Sequence, residues 1–385
     1  MTIINAKIYT CDKQGIIENG FIEIKNGKIF SIGDMQVFKT SNEQVFDANG
    51  KTLTPGFVEG HCHIGMWEDS LGFEGDDGNE DTDPATPHLR AIDAINPFDL
   101  CFAEALQAGV TTVVTGPGSS NPIGGQFAAL KTYGKTVEDK LIKAPICIKA
   151  ALGENPKISY HIKNLSPVTR MAIAGIIREQ LFKASRYIKD VDKALIEEDF
   201  DEPEFDIKNE AYIPLFKGDI PLHIHAHRAD DILTAIRICE EFNLDLSVVH
   251  CTDGELVADI LKEKNISVLL GPSLSDRSKP ELKNLSFKTA GILDNKGIKT
   301  AIITDHPNTP IQYLPLCAAL SIKNGMDYLS ALKAITINPA EICGISNRVG
   351  SIEIGKDADL VIFNGEPFDI FSTVEAVFIN GEKVK

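Results

Sequence analysis

The sequence lacks the features that would place a protein in a membrane or on a nucleic acid. No apolar run is long enough to span a bilayer, so we expect no membrane partner. Proteins that bind the phosphate backbone of nucleic acids carry an excess of basic residues, whereas this chain has a formal net charge of −17. We therefore expect no nucleic-acid partner. The segment MTIINAKIYT also lacks the basic start and apolar stretch of a signal peptide, which predicts a cytoplasmic protein.

Two further absences narrow the fold. The eight cysteines form no C-x-x-C pair, which favours free thiols in a reducing compartment over a disulfide framework. No G-x-G-x-x-G fingerprint follows the first strand of the central region, which weakens the case for a doubly wound open sheet. A composition of 43% hydrophobic and 24% charged residues is that of an ordinary globular protein.

The pattern of apolar residues changes twice along the chain. Residues 1–54 and 345–385 have the alternation and the Asn-Gly turns of β-hairpins, whereas residues 55–344 alternate short apolar strands with helices. This predicts an α/β fold, a TIM (β/α)8 barrel over residues 55–344 with a composite β-sandwich domain formed by both chain ends. A doubly wound sheet is the alternative. One helix is expected to start at Ser166-Pro167, an N-cap followed by a proline.

Two polar loops lie between the predicted elements. The acidic stretch 68–83 is expected to be a solvated loop after the first barrel strand, with a role at the rim of a site as the alternative. The segment TGPGSSNPIGGQ, which ends at Gln126, either exposes amide groups to a substrate or forms a tight connection between strands.

The strongest chemical signal is a set of histidines at alternate positions of predicted strands. His61 and His63 lie two residues apart in PGFVEGHCHIG, so their side chains point to the same side of a strand and can bind one ion. His223, His225 and His227 alternate in the same way in PLHIHAHRADD. Histidines in pairs can also line an ordinary polar pocket, so this pattern alone is modest support for a metal.

Three more residues strengthen the metal hypothesis. His250 ends the strand LSVVH and Asp305 ends AIITD, at the end of barrel strands where catalytic groups are placed. Lys149 interrupts the apolar strand PICIKAAL, where a buried lysine needs a partner. A core histidine or a helix-capping aspartate would explain each residue singly. Their conjunction at strand ends predicts a divalent-metal site.

These motifs together resemble those of the amidohydrolase superfamily, in particular its imidazolonepropionase-related group. The similarity covers nearly the whole chain, through KTLTPGFVEGHCHIG, the lysine strand, IHAHR, VVHCTDG, ITDHP, AITINPAEICGI and RVGSIEIGKDADLVIFNGEPFD. The resemblance implies a TIM barrel with a composite β-sandwich, and one or two divalent cations at the strand ends.

For individual residues the resemblance implies a binuclear centre with two divalent cations, zinc being expected. The implied ligands are His61, His63, Lys149, His225, His250 and Asp305. Lys149 would carry a carbamate formed with carbon dioxide and bridge the cations. As the alternative, Lys149 is paired with a carboxylate such as Glu154, which would itself bridge if the lysine is unmodified. The match selects His225 from its strand, leaving His227 nearer the mouth for substrate and His223 deeper.

The functional hypothesis is a metal-dependent amidohydrolase acting on carbon–nitrogen bonds other than those of simple peptide chains. The substrate would be a small cyclic amide or a dipeptide-like or N-acyl amino acid compound. Metal-activated hydroxide would attack, with Asp305 as general base and then acid and His250 aiding at the oxyanion. The candidate substrate-binding residues are His227, Arg228, Gln126 and Tyr160.

Two other functions stay open at this point. A deaminase on the same barrel would use a single metal and a glutamate two residues after the strand-five histidine, where this chain has His227. A non-catalytic scaffold would have lost ligands, and this chain keeps a full set. The resemblance favours a homodimer or larger homo-oligomer, with a small-molecule substrate as the other partner.

Overall fold

A computed structural model of the chain describes residues 1–39, 44–68 and 71–385. The strands are β1 (Thr2–Tyr9), β2 (Ile16–Lys25), β3 (Lys28–Asp34), β4 (Val45–Asp47), β5 (Thr52–Pro55), β6 (Phe57–Cys62), β7 (Val110–Thr115), β8 (Ile123–Gln126), β9 (Ala128–Lys131), β10 (Leu141–Lys143), β11 (Ile148–Ala151), β12 (Leu222–Ala226), β13 (Leu246–His250), β14 (Ser267–Leu270), β15 (Thr300–Ile302), β16 (Leu360–Phe363), β17 (Val374–Ile379) and β18 (Glu382–Lys383). The α-helices are α1 (Leu100–Gln107), α2 (Val137–Lys140), α3 (Glu154–His161), α4 (Arg170–Ala194), α5 (Ile207–Glu210), α6 (Ile213–Phe216), α7 (Ala229–Phe242), α8 (Gly254–Glu263), α9 (Lys288–Asn295), α10 (Leu314–Lys323), α11 (Tyr328–Ala334) and α12 (Ile337–Ile342).

Both ends of the chain contribute strands to one β domain. Its strand order is β18-β17-β16-β5-β1-β2-β3, and β4 pairs with β1. The junction between the two ends is the antiparallel pair of β5 and β16, which sets Thr54 opposite Val361. Ile3, Ile22 and Leu360 belong to the apolar cluster at the centre of this domain. The predicted composite β domain is therefore confirmed, while its boundaries at residues 54 and 345 stay a prediction.

The central region forms the predicted TIM barrel, with one strand position filled in an unexpected direction. Strands β6 and β7 are parallel, as are β11 through β15. The third position is taken by β8 and β9, which run antiparallel to β11 and β7 respectively. Only residues 116–122 separate β7 from β8. A parallel strand needs a crossover of about a dozen residues or more, so this short loop forces the chain to run back.

The helix that was expected to start at Ser166-Pro167 begins later. Helix α4 starts at Arg170, and the side chain of Thr169 accepts a hydrogen bond from the backbone N–H of Ala172. Thr169 has the extended backbone of an N-cap (φ −136°, ψ 153°), so it takes the capping role predicted for Ser166. The apolar face of α4 is buried at the predicted helical spacing, with Ile173, Ile177, Leu181 and Ala184 fully covered.

The structure bears on two features that the sequence lacks, disulfide-bonded cysteines and membrane-spanning segments. All eight cysteines are buried and none forms a disulfide, as predicted. None of the helices that the structure describes combines the length and the apolar character needed to cross a membrane.

Candidate metal centre

A cavity of about 780 Å³ opens at the carboxyl ends of the barrel strands, and we call it the histidine cavity. His63, His225, His227, His250 and Asp305 all line it. They come from four different strand positions, so only the closed barrel brings them together.

The first cluster consists of His61, His63 and Asp305. One ligand atom from each lies within 4.8 Å of the others, and all three residues are buried. The Nε2 atom of His63 lies 3.2 Å from Oδ1 of Asp305, and that of His61 lies 3.7 Å from the same oxygen. His61 lies in β6 and His63 directly follows its last residue, so the two side chains keep the alternation of the strand, and the loop after β15 supplies the carboxylate.

The second cluster consists of His225, His227 and His250, with ligand atoms again within 4.8 Å of one another. The ring centroid of His250 lies 4.3 Å from that of His225 and 4.5 Å from that of His227. His250 also connects the clusters, because its ring centroid is 6.0 Å from that of His61. The sequence predicts a substrate-binding role for His227, whereas the structure places it beside the two expected ligands, His225 and His250.

Hydrogen bonds to the backbone orient several of these rings. Nδ1 of His63 donates to the carbonyl of Gly116 and Nδ1 of His250 donates to that of Gly271, each over 2.7 Å. A neutral imidazole that donates from Nδ1 carries its lone pair on Nε2, which leaves Nε2 free to bind a metal. Nδ1 of His227 lies 2.8 Å from the hydroxyl of Thr252, which fixes this ring as well.

The chemistry of these side chains fits a divalent metal. Neither ring nitrogen of His225 has a hydrogen-bond partner among the described residues, although the residue is only 2% exposed. A buried polar atom left without a partner costs about 1–3 kcal/mol, so a ligand is expected there. Imidazole nitrogen and carboxylate oxygen are the donors that zinc and similar ions take.

The protonation states of the cluster residues are those that metal ligands need. Burial lowers the pKa of His225 and of His227 well below the ordinary range, and it lowers the pKa of His250 to about 4. These imidazoles are therefore neutral near pH 7, the form that binds metal. Burial alone would raise the pKa of Asp305, but His250 and His63 outweigh it and hold that pKa below its usual value. Asp305 is therefore an anion at neutral pH.

Lys149 lies beneath the clusters in a fully buried position of β11. Its Nζ is 3.4 Å from Nε2 of His61 and donates to the carbonyl of Gly118 over 3.4 Å. Burial lowers the pKa of Lys149 to about 8, which raises the fraction of neutral amine that can react with carbon dioxide. Glu154, the alternative partner and bridging residue, lines a separate cavity of about 590 Å³.

His223 occupies the deepest of the three alternating positions on its strand. Its backbone pairs in register with Lys149, one step below His225, and the side chain is 0% exposed. Burial, with a smaller effect from Lys149, lowers its pKa to about 3. The two clusters do not include it.

The three other candidate substrate-binding residues make contacts within the protein. The hydroxyl of Tyr160 donates to Oδ1 of Asn121 over 2.7 Å, and Nε2 of Gln126 donates to a loop carbonyl over 3.1 Å. Arg228 pairs with Asp230 over 2.8 Å and lines the separate cavity. A role in substrate binding stays a prediction for all three.

Two residues at this site, Glu281 and Lys279, are not predicted by the sequence. They come from a loop after β14 with no periodic pattern, so nothing in the sequence points to them.

The acidic stretch 68–83 contributes Glu68 and Asn79 to the lining of the histidine cavity, which agrees with the alternative that it forms part of the rim of a site. Within that stretch, Asp69 and Ser70 lie outside the described residues.

Comparison with known proteins identifies the family. The crystal structure of an amidohydrolase from Thermotoga maritima superposes with a TM-score of 0.95 at 41% sequence identity, covering 100% of this chain and 99% of that one. This chain belongs to the amidohydrolase family. The family model itself matches residues 208–384. Membership confirms the predicted barrel with its β-sandwich and the predicted metal-dependent hydrolase acting on carbon–nitrogen bonds.

More distant relatives within the family differ in what they act on. The amidohydrolase tasK of Hapsidospora irregularis is 27% identical over 88% of this chain, which spans only 37% of that protein. An imidazolonepropionase of Maricaulis maris is 24% identical over 92% of this chain and 89% of its own length. Deaminases also occur among the relatives. The family is therefore clear, and the substrate has to be argued from the site.

Proposed function

We propose that the chain hydrolyses an amide bond in a small cyclic amide or a dipeptide-like or N-acyl amino acid substrate, using two divalent ions, zinc being expected. The observation that supports it is the pair of facing ligand clusters, which His250 connects through its 6.0 Å approach to His61. When bound, the ions would polarise the substrate carbonyl and lower the pKa of water. His61, His63 and Asp305 would hold one ion, and His225 and His250 the other.

Lys149 is the residue that would join the two sites. A carbamate forms when the neutral amine attacks carbon dioxide and releases one proton, and the product is an anion with two ligand oxygens. The 3.4 Å approach of its Nζ to His61 supports this role. A carbamate carbon signal in the ¹³C NMR spectrum of intact protein equilibrated with ¹³C-labelled carbon dioxide, absent from Lys149→Gln, would detect the modification.

Asp305 would carry the proton during hydrolysis. Its Oδ2 accepts a hydrogen bond from the side chain of Asn308 over 2.8 Å, which holds the carboxylate in one orientation. Oδ1 faces His63, on the side of the cavity where the substrate would lie. From there Asp305 can accept a proton as water attacks and pass it to the leaving nitrogen. His250 already donates from Nδ1 to Gly271, so we assign it a ligand role rather than donation to an oxyanion.

Replacing Asp305 tests this function. We expect Asp305→Asn to lower kcat by about 10²–10⁴-fold, because the amide cannot accept the proton. Bound metal should stay close to the wild-type amount, since the histidines remain. The assay uses zinc-loaded protein with a panel of cyclic amides, dipeptides and N-acyl amino acids, and Asp192→Asn on the exposed face of α4 as the control. Wild-type turnover by Asp305→Asn would refute the assignment.

A deaminase remains the alternative, and the same assay separates the two. Release of ammonia together with one bound ion per chain would favour the deaminase, whereas two ions and cleavage of an amide favour our proposal. The cytoplasmic location and the homo-oligomeric state also stay predictions.

A further inference from the structure

The second cluster has an acidic neighbour that neither the sequence motifs nor the family resemblance supply. Glu281 lies in a short 3-10 helix, Pro280–Leu282, in the loop after β14. Its side chain is only 1% exposed. Oε1 of Glu281 lies 3.7 Å from Nε2 of His225 and also 3.7 Å from Nε2 of His227. A buried carboxylate thus faces two imidazole nitrogens at once.

The two oxygens of Glu281 have different surroundings. Oε2 accepts a hydrogen bond from the backbone N–H of Glu154 over 3.1 Å, which anchors the carboxylate to the start of α3. Oε1 points toward the histidines and lies 2.7 Å from Nζ of Lys279. The side chain of Lys279 is 24% exposed and lines the histidine cavity. Lys279 therefore neutralises the carboxylate from the solvent side without enclosing it.

The distances match those between ligand atoms of one ion. Zinc–nitrogen and zinc–oxygen bonds of about 2.0–2.1 Å at tetrahedral angles separate neighbouring ligand atoms by about 3.3 Å. The two 3.7 Å separations at Glu281 exceed this value by a few tenths of an ångström, which side-chain rotation can close. His225 has no hydrogen-bond partner at either ring nitrogen within the described part of the chain, so the tautomer with its lone pair on Nε2 is available for a metal.

We propose that Glu281 is a protein ligand of the ion at the second cluster, completing a set with His225, His227 and His250. The inference extends the proposed function, because it assumes that this cluster holds a divalent cation. In this arrangement Oε1 binds the ion, and Lys279 keeps its second contact, a 2.7 Å hydrogen bond to Oδ1 of Asn155. The set then offers three neutral nitrogens and one anionic oxygen, which lowers the charge of the occupied site.

Metal binding by Glu281→Gln provides the test, independently of turnover. Metal-free protein is titrated with Co²⁺ while its visible absorption is recorded, and bound metal is measured by elemental analysis. We expect one of the two Co²⁺ binding steps to weaken by about 100-fold or more, and the visible spectrum of that step to change as its coordination changes. Glu263→Gln, at an exposed position of α8, is the matched control and should bind Co²⁺ like the wild type.

Two further variants distinguish the loss of a metal ligand from a change in local charge or a loss of folding. Glu281→Asp keeps the charge but withdraws the ligand atom by one methylene, so it should also weaken the site. Lys279→Met removes the counter-ion but no ligand, so it should bind Co²⁺ as tightly as the wild type or more tightly. Thermal unfolding of each metal-free variant shows whether it is folded, and Glu281→Asp replaces Glu281→Gln if the amide does not fold.

The outcomes separate this inference from the proposed function. Wild-type affinity and an unchanged spectrum in Glu281→Gln or Glu281→Asp would overturn the ligand role, as would an equal loss in Lys279→Met. The proposed function would survive either result if the wild type binds two ions and Asp305→Asn is inactive. A wild-type protein that binds no Co²⁺ would refute both.

Discussion

At the scale of single residues, the site depends on backbone conformations that the residue types do not favour. His250 and Asp305 both have positive φ angles, 74° and 51°, in the left-handed region where side chains other than glycine are strained. Such conformations cost about 1–3 kcal/mol each and persist only where the surroundings hold them. The bond from His250 to Gly271 and the bond from Asn308 to Asp305 supply that hold.

The side chain of Glu59 links the first and last barrel strands, β6 and β15, and we call the place where these two strands meet the seam. Its carboxylate accepts hydrogen bonds from the backbone N–H of His61, over 3.1 Å, and from the N–H and hydroxyl of Thr304, over 2.8 and 2.6 Å. These bonds take the place of the backbone hydrogen bonds that would pair β6 with β15 in a continuous sheet. They fix the backbone directly before Asp305 against the backbone of a histidine in the same cluster.

Glu59→Gln should therefore disturb both stability and metal binding. A carboxamide has one acceptor oxygen, so its NH₂ group would face a backbone donor, and we expect a loss of about 1–3 kcal/mol in the free energy of unfolding. We also expect Co²⁺ affinity to fall by about 10-fold, as for other residues that orient ligands. Urea unfolding of the metal-free protein and Co²⁺ titration check this, with Glu18→Gln at an exposed position of β2 as control. Unchanged metal affinity would show that the seam does not position the cluster.

At the scale of elements, the segment around β8 is held in place by side chains that a sequence pattern cannot connect. Nδ2 of Asn121 donates to the carbonyl of Glu80 over 2.7 Å and to the hydroxyl of Thr86 over 3.2 Å. Oδ1 of Asn121 accepts from Tyr160. The loop before β8 is thus tied both to the acidic stretch and to α3. Its role as a tight connection, one of the two alternatives, agrees with these bonds.

Tyr160→Phe separates a structural role of this tyrosine from the predicted substrate role. Loss of the hydroxyl leaves Oδ1 of Asn121 buried without its donor, so we expect the free energy of unfolding to drop by about 1–3 kcal/mol. KM should change by less than about threefold. Denaturant unfolding and steady-state kinetics measure the two effects, and Tyr133→Phe at a half-exposed position is the control. A tenfold rise in KM at unchanged stability would instead support direct contact with substrate.

At the scale of the whole molecule, buried charges join the barrel to the β domain. Lys131 on β9 has a side chain that is only 3% exposed, and its Nζ lies 3.0 Å from Oδ2 of Asp357 and forms a second ion pair with Asp359. Asp357 also pairs with Arg348 over 2.8 Å and with Lys28 over 2.5 Å. The cluster therefore links a barrel strand to residues just before β16 and to β3 of the sheet.

Lys131→Met should destabilise the protein more than an exposed lysine substitution would. It leaves Asp359 buried without a cation, and breaking a buried pair in this way costs about 3–5 kcal/mol. Guanidinium unfolding followed by circular dichroism measures the loss, and Lys183→Met, at an exposed position of α4, is expected to cost less than about 1 kcal/mol. A loss below about 1 kcal/mol in Lys131→Met would mean that the link between the domains does not depend on this pair.

The fold was largely predictable because its signals are local. Alternation in the chain ends predicts strands, and the strand–helix repeat of the central region predicts a barrel. The departures depend on geometry that no local pattern carries. The direction of β8 follows from a short connection, and the start of α4 follows from which side chain, Ser166 or Thr169, reaches the free backbone N–H groups of the first turn.

The candidate site divides in the same way. The sequence by itself made His61, His63, His250 and Asp305 candidate ligands, because strand periodicity orients side chains and strand ends meet at one edge of a barrel. The choice of His225 among its three alternating histidines, and the ligand role of Lys149, came from the resemblance to the amidohydrolase superfamily. Only the tertiary structure decided that His227 joins the second cluster and that Glu281 faces it. Both depend on distances between side chains far apart in sequence, and those distances are set by how the closed barrel and the loop after β14 pack.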